Sequence, residues 1–371
     1  KSQGNKITFA AWLFLALGTA FFVSLLVREG VADVFTALRT AGWGVLGAVV
    51  FQALPLLLDA LGWRPLFPPG QRPRLLSLWW MRWVGASVNN LVPVAQVGGD
   101  LLRARLAGIF TRSPMTASVA AVIVNITANV FTQVLFTFGG FLLLMGMTHQ
   151  AGLAKPAIAG VTVSALAIGG FYAVQRMGGI RWVAAMIGRV AGGEWRSLAR
   201  DGAELDAAVK SVYARKGDVA KSAAWALVSW IAGAGEIWIA LKAMGRPAGI
   251  GEALAFETMS QGFRTAVFFV PGALGVQEGA YLFVAGLLGV PGEVAMALAL
   301  IRRVRELAVG IPAIIAWQVV EGRRLRQQQQ AAEAAGGEAV ITPFPVPSPA
   351  LEPVREPISA PRRTRGRASR Y

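Results

Sequence analysis

Arginines and carboxylates recur inside apolar sequence in this 371-residue chain, and their spacing suits the binding of a buried anion. Glu257, Gln261 and Arg264 stand at i, i+4 and i+7, which sets them on one helical face. Arg264 comes shortly before a break at Pro271, so it can reach toward a helix that restarts near Gly275. Arg302, Arg303, Arg305 and Glu306 lie a turn or two into the last apolar stretch. Arg302 and Glu306 can pair at i, i+4. Three arginines against one glutamate leave positive charge that needs an anion or backbone carbonyls, so an ion-pair knot and an anion site are both open readings. Asp59 and Glu236 are isolated carboxylates expected to pair with arginines rather than to bind a cation. Ionisable groups at membrane depth are costly and face the protein interior or a cavity.

Two stretches place helix-breaking residues in the same apolar surroundings: Leu91–Arg103 (LVPVAQVGGDLLR) and Phe269–Tyr281 (FVPGALGVQEGAY). Each has Val-Pro, then glycines, then a carboxylate seven residues after the proline, Asp100 after Pro93 and Glu278 after Pro271. Irregular backbone survives in a membrane only where protein or a watery cavity satisfies it. Broken segments at corresponding places in two halves point to a site between inverted repeats. A helix restarting after Gly98-Gly99 or Pro271-Gly272 offers free N–H groups and a positive dipole end to an anion. Asn89, Asn90, Arg103 and Gln277 flank these breaks. Asp100 and Glu278 can instead cap the helix starts. In a further apolar region Asn125, Asn129, Gln133 and Thr137 fall at four-residue intervals on one face. They serve either as interhelical hydrogen bonds or as a polar cavity wall. An arginine-rich centre with long apolar walls matches a phospholipid headgroup better than an inorganic ion.

Composition limits the alternatives. Hydrophobic residues make up 55% of the chain and charged residues 15%, with mean hydropathy +0.53, whereas a soluble domain carries about 25% charged residues. The +16 net charge sits in loops between apolar spans, which is a membrane-orientation pattern and not a nucleic-acid face. There is no cysteine and His149 is the single histidine, which argues against disulfides, thiolate metal sites and histidine chemistry. GxxxxGK[ST], G-x-S-x-G and HExxH are absent from the sequence, so no cofactor, metal or enzymatic role is expected, and no ATP-driven pumping.

The elements that must hold these residues are apolar spans. Ile7–Val27, Gly42–Trp63, Met115–Met147, Leu153–Val174, Val219–Met244 and Val294–Val320 are each long enough to cross about 30 Å of hydrocarbon. A cleaved signal peptide, with Gly18-Thr19-Ala20 as its site, is the competing reading of the first. Between Arg176 and Lys221 the sequence suggests an interfacial helix over Ile180–Val190 and a soluble amphipathic helix over Glu194–Lys216, apolar at Leu198, Leu205, Val209 and Val212. The basic segments 64–74, 103–112, 176–221 and the chain after 321 are expected in the cytoplasm. The poor loops 28–41, 148–155 and 242–252 are expected outside. Labelled cysteines at positions 34 and 150 should then react from outside, and at 70 and 200 from inside. Residues 75–102 and 250–293 must enter and return from opposite sides. The fold class is therefore an all-α polytopic membrane protein: six full spans, two oppositely directed re-entrant hairpins, both termini inside. Residues 1–322 form the membrane domain. From Arg323 the glutamine run, prolines and basic end suggest a disordered tail, lying near the anionic inner leaflet.

With these residues assembled, the chain resembles the lysylphosphatidylglycerol synthase transmembrane-region (flippase-like) family. The matching pieces are Trp63-Arg64, Asn89-Asn90-Leu91-Val92-Pro93 with Gly98-Gly99-Asp100-Leu101-Leu102-Arg103, and Pro271 through Gly279. The run Ala297 through Glu306, then Gly310-Ile311-Pro312 and Trp317-Gln318, looks like the branch found with hopanoid biosynthesis. The resemblance covers roughly residues 7–322. It implies an inner-membrane protein that moves a lipid, an anionic phospholipid or a hopanoid, between leaflets. It also implies membrane lipids as partners, and lipid-biosynthesis enzymes if the protein is instead a non-transporting accessory. Family members with a fused aminoacyl-transferase domain modify phosphatidylglycerol, but only a short tail follows the last span here, so that activity is not expected. Many members carry an Asp-Arg pair where this chain has Asn125-Ile126. A continuous polar path from Arg103 to Arg264 favours transport, and a site open on one side only favours the accessory role.

Overall fold

A computed structural model describes residues 31–91, 98–111, 113–149, 202–246, 248–266 and 274–334, with isolated positions at 23, 24, 27, 28, 169, 170 and 173. The expected spans Ile7–Val27 and Leu153–Val174, the interfacial helix Ile180–Val190, most of both proline breaks and the end of the tail lie outside the described residues. Among the described residues all regular structure is helical. Helices α1 (Val31–Ala41), α2 (Trp43–Phe51) and α3 (Ala53–Trp63) lead into a 3-10 turn, Arg64–Leu66. Helices α4 (Leu75–Leu91) and α5 (Gly98–Phe110) form the first hairpin, followed by α6 (Met115–Thr148), α7 (Gly202–Ala214) and α8 (Lys216–Ala243). The second hairpin is α9 (Ile250–Ala266) and α10 (Val276–Leu288), and α11 (Gly292–Ala334) ends the described chain.

Among the described residues three stretches are long and apolar enough to cross a membrane: Trp43–Leu66, Met115–Thr148 and Lys216–Ala243. The first is α2 and α3 run together with a joint at Gln52, where Pro55 has no N–H to give to the carbonyl four residues back. The last expected span, within α11, is not among them because Arg302, Arg303, Arg305 and Glu306 interrupt its apolar run, yet its two faces differ. Val304, Leu307, Ile311, Ile315 and Val319 are exposed along one stripe, while Arg302, Arg305, Glu306 and Ala313 are buried on the other. An apolar stripe turned out and a charged face turned in is what a span beside a polar core requires.

Other boundaries differ from expectation for local reasons. The loop expected over 28–41 holds α1, because Val34, Leu38 and Ala41 share a helical face and pack on the core. Val34 is buried against Met296, so the exposed Asp33 is the better labelling position. The amphipathic helix expected over 194–216 is described from Gly202 to Ala214 and is no free soluble element. Its Leu205, Val209 and Val212 are buried in a core shared with α3 to α6. The tail expected to be disordered from Arg323 is helical as far as Ala334, since Arg, Leu, Gln and Ala are strong helix formers.

The described parts of the four basic segments gather at one end. Arg215 donates to the carbonyls of Pro65, Leu66 and Phe67, and Arg72 and Arg215 share Asp218. Ser113 donates to the Gln71 carbonyl, and Arg105 pairs with Glu321 at 2.9 Å. At the other end a second core joins Ala41, Leu144, Leu241, Ala248 and Ala253. Cysteines placed at Asp33 and Gly70 of the cysteine-free chain should therefore label from opposite faces of sealed vesicles. Labelling of both by one impermeant reagent from one side would contradict the arrangement.

The first hairpin is tight and depends on its closest approach. A Cβ on Gly99 would overlap the Gly85 carbonyl and lie 2.8 Å from the Asn89 side chain. Gly99→Ala should therefore destabilise the protein by about 1–3 kcal/mol, the scale of overpacking. Thermal unfolding in detergent measures it, and an unchanged midpoint would count against the close contact.

Candidate functional site

Between the two apolar cores lies a polar cavity of about 240 Å³. Its walls come from the kinked α2–α3 joint (Gln52, Pro55, Leu56, Asp59), from α4 (Arg82, Ala86, Asn89, Asn90) and from α6 (Asn129, Gln133). The other walls are α8 (Ser229, Trp230, Gly233, Glu236), α9 (Glu257, Gln261, Arg264, Thr265) and α11 (Arg302, Arg305). Asn129 and Gln133 straddle the middle of the 34-residue α6, and Ser229 the middle of the 28-residue α8. The cavity thus sits at mid-length of the two longest apolar helices, where charged groups are most costly.

The hairpins contribute in the same register. The first arms α4 and α9 are each 17 residues, the second arms α5 and α10 each 13 residues. From Arg82 and from Glu257, each the eighth residue of its helix, the wall positions run i, i+4, i+7 and i+8. The arms touch at matching points. Gly85 meets Gly99 in the first hairpin, and Gln277 donates to Ser260 at 3.0 Å in the second. The two first arms meet at their ends, where Arg264 donates to Asn90 Oδ1 at 2.5 Å. Arg264 therefore reaches across to α4 and not toward the start of α10.

The arginines are matched more fully than their spacing along α11 implied. Arg302 grips Glu257 with both nitrogens, at 2.6 and 3.2 Å, and also donates to the Tyr281 hydroxyl at 2.9 Å. Its expected partner Glu306 instead accepts from Arg303 at 2.8 Å. Arg303 also pairs with Glu278, Arg305 with Glu236 at 2.9 Å, and Arg82 with Asp59 at 2.6 Å. Asp59 and Glu236 thus pair with arginines, as their isolation in apolar spans suggested. The expected excess of positive charge on α11 is cancelled by carboxylates from α8, α9 and α10. Arg264 has the loosest match, 3.6 Å from Glu306, which two other arginines also approach. Gln261 donates to Glu257 at 2.7 Å. Glu257 therefore belongs to Arg302, and removing Arg264 does not orphan it.

Of the residues singled out from sequence, Asn89, Asn90, Glu257, Gln261, Arg264 and Arg302 line the cavity. Glu306 lines a small neighbouring recess with Asn90 and Arg305. Gln277, Glu278 and Arg303 stand behind the wall. Asp100 and Arg103 lie away from it: Arg103, 2% exposed, pairs with Asp100 at 2.8 Å, donates to Asn125 at 2.8 Å and stacks over Trp63. Glu278 holds Arg303 and no side chain caps the start of α10, while Asp100 holds Arg103. The Gly99 N–H goes to Asn89 Oδ1 at 2.7 Å, so one amide offered at the α5 start is already taken. The asparagine ladder does both things expected of it. Asn125 holds Arg103, and Asn129 and Gln133 face the cavity, with Gln133 hydrogen-bonded to Thr265. Asn129 donates to the Asn125 carbonyl at 3.0 Å, which links the cavity to Arg103 by hydrogen bonds, although open space stops short of it. Arg82 was the wall residue with the weakest sequence signal, a lone arginine in the tryptophan-rich α4. Asp59, Glu236 and Arg305 were visible as charges but not as one site.

These features coincide with similarity to known proteins. Over 170 residues the chain is 27% identical to a protein of Methanothermobacter thermautotrophicus described as UPF0104 membrane protein. The match covers 42% of this chain and 46% of that relative, so it spans about half the relative's length. No solved structure matches. Residues 10–313 match the family described as Lysylphosphatidylglycerol synthase TM region, and the chain belongs to that membrane-protein family.

Proposed function

We infer that the protein handles lipids by passing a headgroup through the mid-depth cavity from one leaflet to the other while the acyl chains stay in the bilayer. The observation that carries this reading is Arg264, a part-buried guanidinium on the cavity wall whose carboxylate partner is 3.6 Å away and shared. Guanidinium forks suit phosphate oxygens, and Asn89, Asn90 and Gln133 line the same space with further amides. The lipid is a phospholipid or a hopanoid bearing a polar headgroup, and the protein is not an enzyme. The matched arms and registers of the two hairpins support an inverted repeat, the architecture that lets a central site open alternately to each side. The clustered basic segments support a cytoplasmic placement of that end in a bacterial inner membrane.

The rival role, a non-transporting accessory that presents lipid to biosynthetic enzymes, including those of hopanoids, draws on one feature. The cavity stops short of Arg103 although hydrogen bonds continue to it. Reconstitution separates the two. Purified protein in vesicles should speed leaflet exchange of acyl-labelled phospholipids above protein-free vesicles. Binding of the same lipids with no gain in exchange would favour the accessory role.

A further inference from the structure

We propose that Asp59 is a second subsite, one for positive charge, and that the cavity takes a zwitterionic headgroup with its phosphodiester on Arg264 and its ammonium on Asp59. The proposal rests on the translocation reading and narrows its lipid. Its first support is charge balance. The cavity wall and the groups directly behind it form five arginine–carboxylate matches: Arg82 with Asp59, Arg302 with Glu257, Arg305 with Glu236, Arg303 with Glu278, and Arg264 with Glu306. The empty site is therefore neutral. A bare anion would leave one uncompensated negative charge at mid-depth, where an unpaired charge is heavily penalised. A load that brings its own cation keeps the loaded cavity neutral.

The second support is the geometry of Asp59. Arg82 takes only its Oδ2, through both Nε and Nη2 at 2.6 and 2.5 Å. Oδ1 is buried and has no hydrogen-bond partner, and the residue is 7% exposed. A buried carboxylate oxygen without a donor is an unmet requirement, and an ammonium supplies up to three N–H donors. Asp59 shares the wall of the α2–α3 joint with Gln52 and Leu56, whereas Arg264 stands on the α9 wall. Positive and negative receptors thus occupy different walls of one cavity, as a headgroup with separated charges requires.

The test is a leaflet-exchange comparison in proteoliposomes, using acyl-labelled lipids with phosphoethanolamine or phosphoglycerol headgroups and a pH dye inside. The wild type should exchange the phosphoethanolamine lipid about tenfold faster, the scale of one charged hydrogen bond. Asp59→Asn leaves Arg82 unpaired, so the decisive variant is Asp59→Asn with Arg82→Gln, which removes both charges and should bring the two rates together. Equal rates in the wild type, or a preference that survives in the double variant, would overturn the subsite. Exchange of the phosphoglycerol lipid accompanied by proton movement would also overturn it, by making a proton the cation at Asp59. If the double variant does not insert, the wild-type ratio decides. Failure of the wild type to exchange either lipid would instead remove the translocation reading, and the subsite with it.

Discussion

Replacing Arg302 by methionine should destabilise the protein by about 3–5 kcal/mol, the cost of breaking a buried ion pair from one side. Both terminal nitrogens of Arg302 hold Glu257, and one also holds the Tyr281 hydroxyl. Glu257 is 2% exposed and would keep only Gln261 as a donor. The penalty comes from the carboxylate left behind, so Arg302→Met with Glu257→Gln should recover much of it. Tryptophan fluorescence during thermal unfolding in detergent reports the effect, since the chain has 12 tryptophans. A single variant as stable as the wild type would mean that water or another cation reaches Glu257.

Arg103→Ala should be of similar size, about 3–5 kcal/mol, yet leave lipid exchange per folded molecule unchanged. Arg103 joins α5 to α6 through Asn125, pairs with Asp100 of its own helix and stacks on Trp63 of α3, with its centre 5.2 Å from the ring. It stands outside the cavity. Arg103→Lys should recover little, because an ammonium does not reproduce a planar fork that bridges two partners and stacks on an indole. Unfolding midpoints, read beside exchange rates normalised to inserted protein, check both parts. A fully stable Arg103→Ala protein with lost exchange would return Arg103 to the lipid path.

The hairpins and their polar character were legible in the sequence because Pro and Gly interrupt otherwise apolar runs, and a carboxylate follows each proline at the same distance. The face shared by Glu257, Gln261 and Arg264 was legible from helical periodicity alone, and all three line the cavity. What periodicity does not carry is the partner across a gap between helices. Arg302 looked to Glu306 along its own helix, but the carboxylate facing it in space belongs to α9, 45 residues away. The same limit hid the neutrality of the arginine cluster, whose acids arrive from α8, α9 and α10. It also gave Arg103 a place in the binding site, since proximity to a glycine break in sequence says nothing of the Trp63 ring that covers it. The first part of the tail was misjudged for another reason: glutamines and alanines read as low complexity also favour helix continuation.

The most direct measurement is phospholipid exchange by Arg264→Gln in reconstituted vesicles. The variant keeps a hydrogen-bonding side chain beside Asn90 and leaves Glu306 with Arg303 and Arg305. It should therefore insert and unfold like the wild type. Loss of the loosely matched guanidinium should slow exchange about a hundredfold, the scale of removing one partner of a buried charged contact. Full exchange in a normally folded Arg264→Gln protein would contradict the assignment of the cavity as the headgroup path.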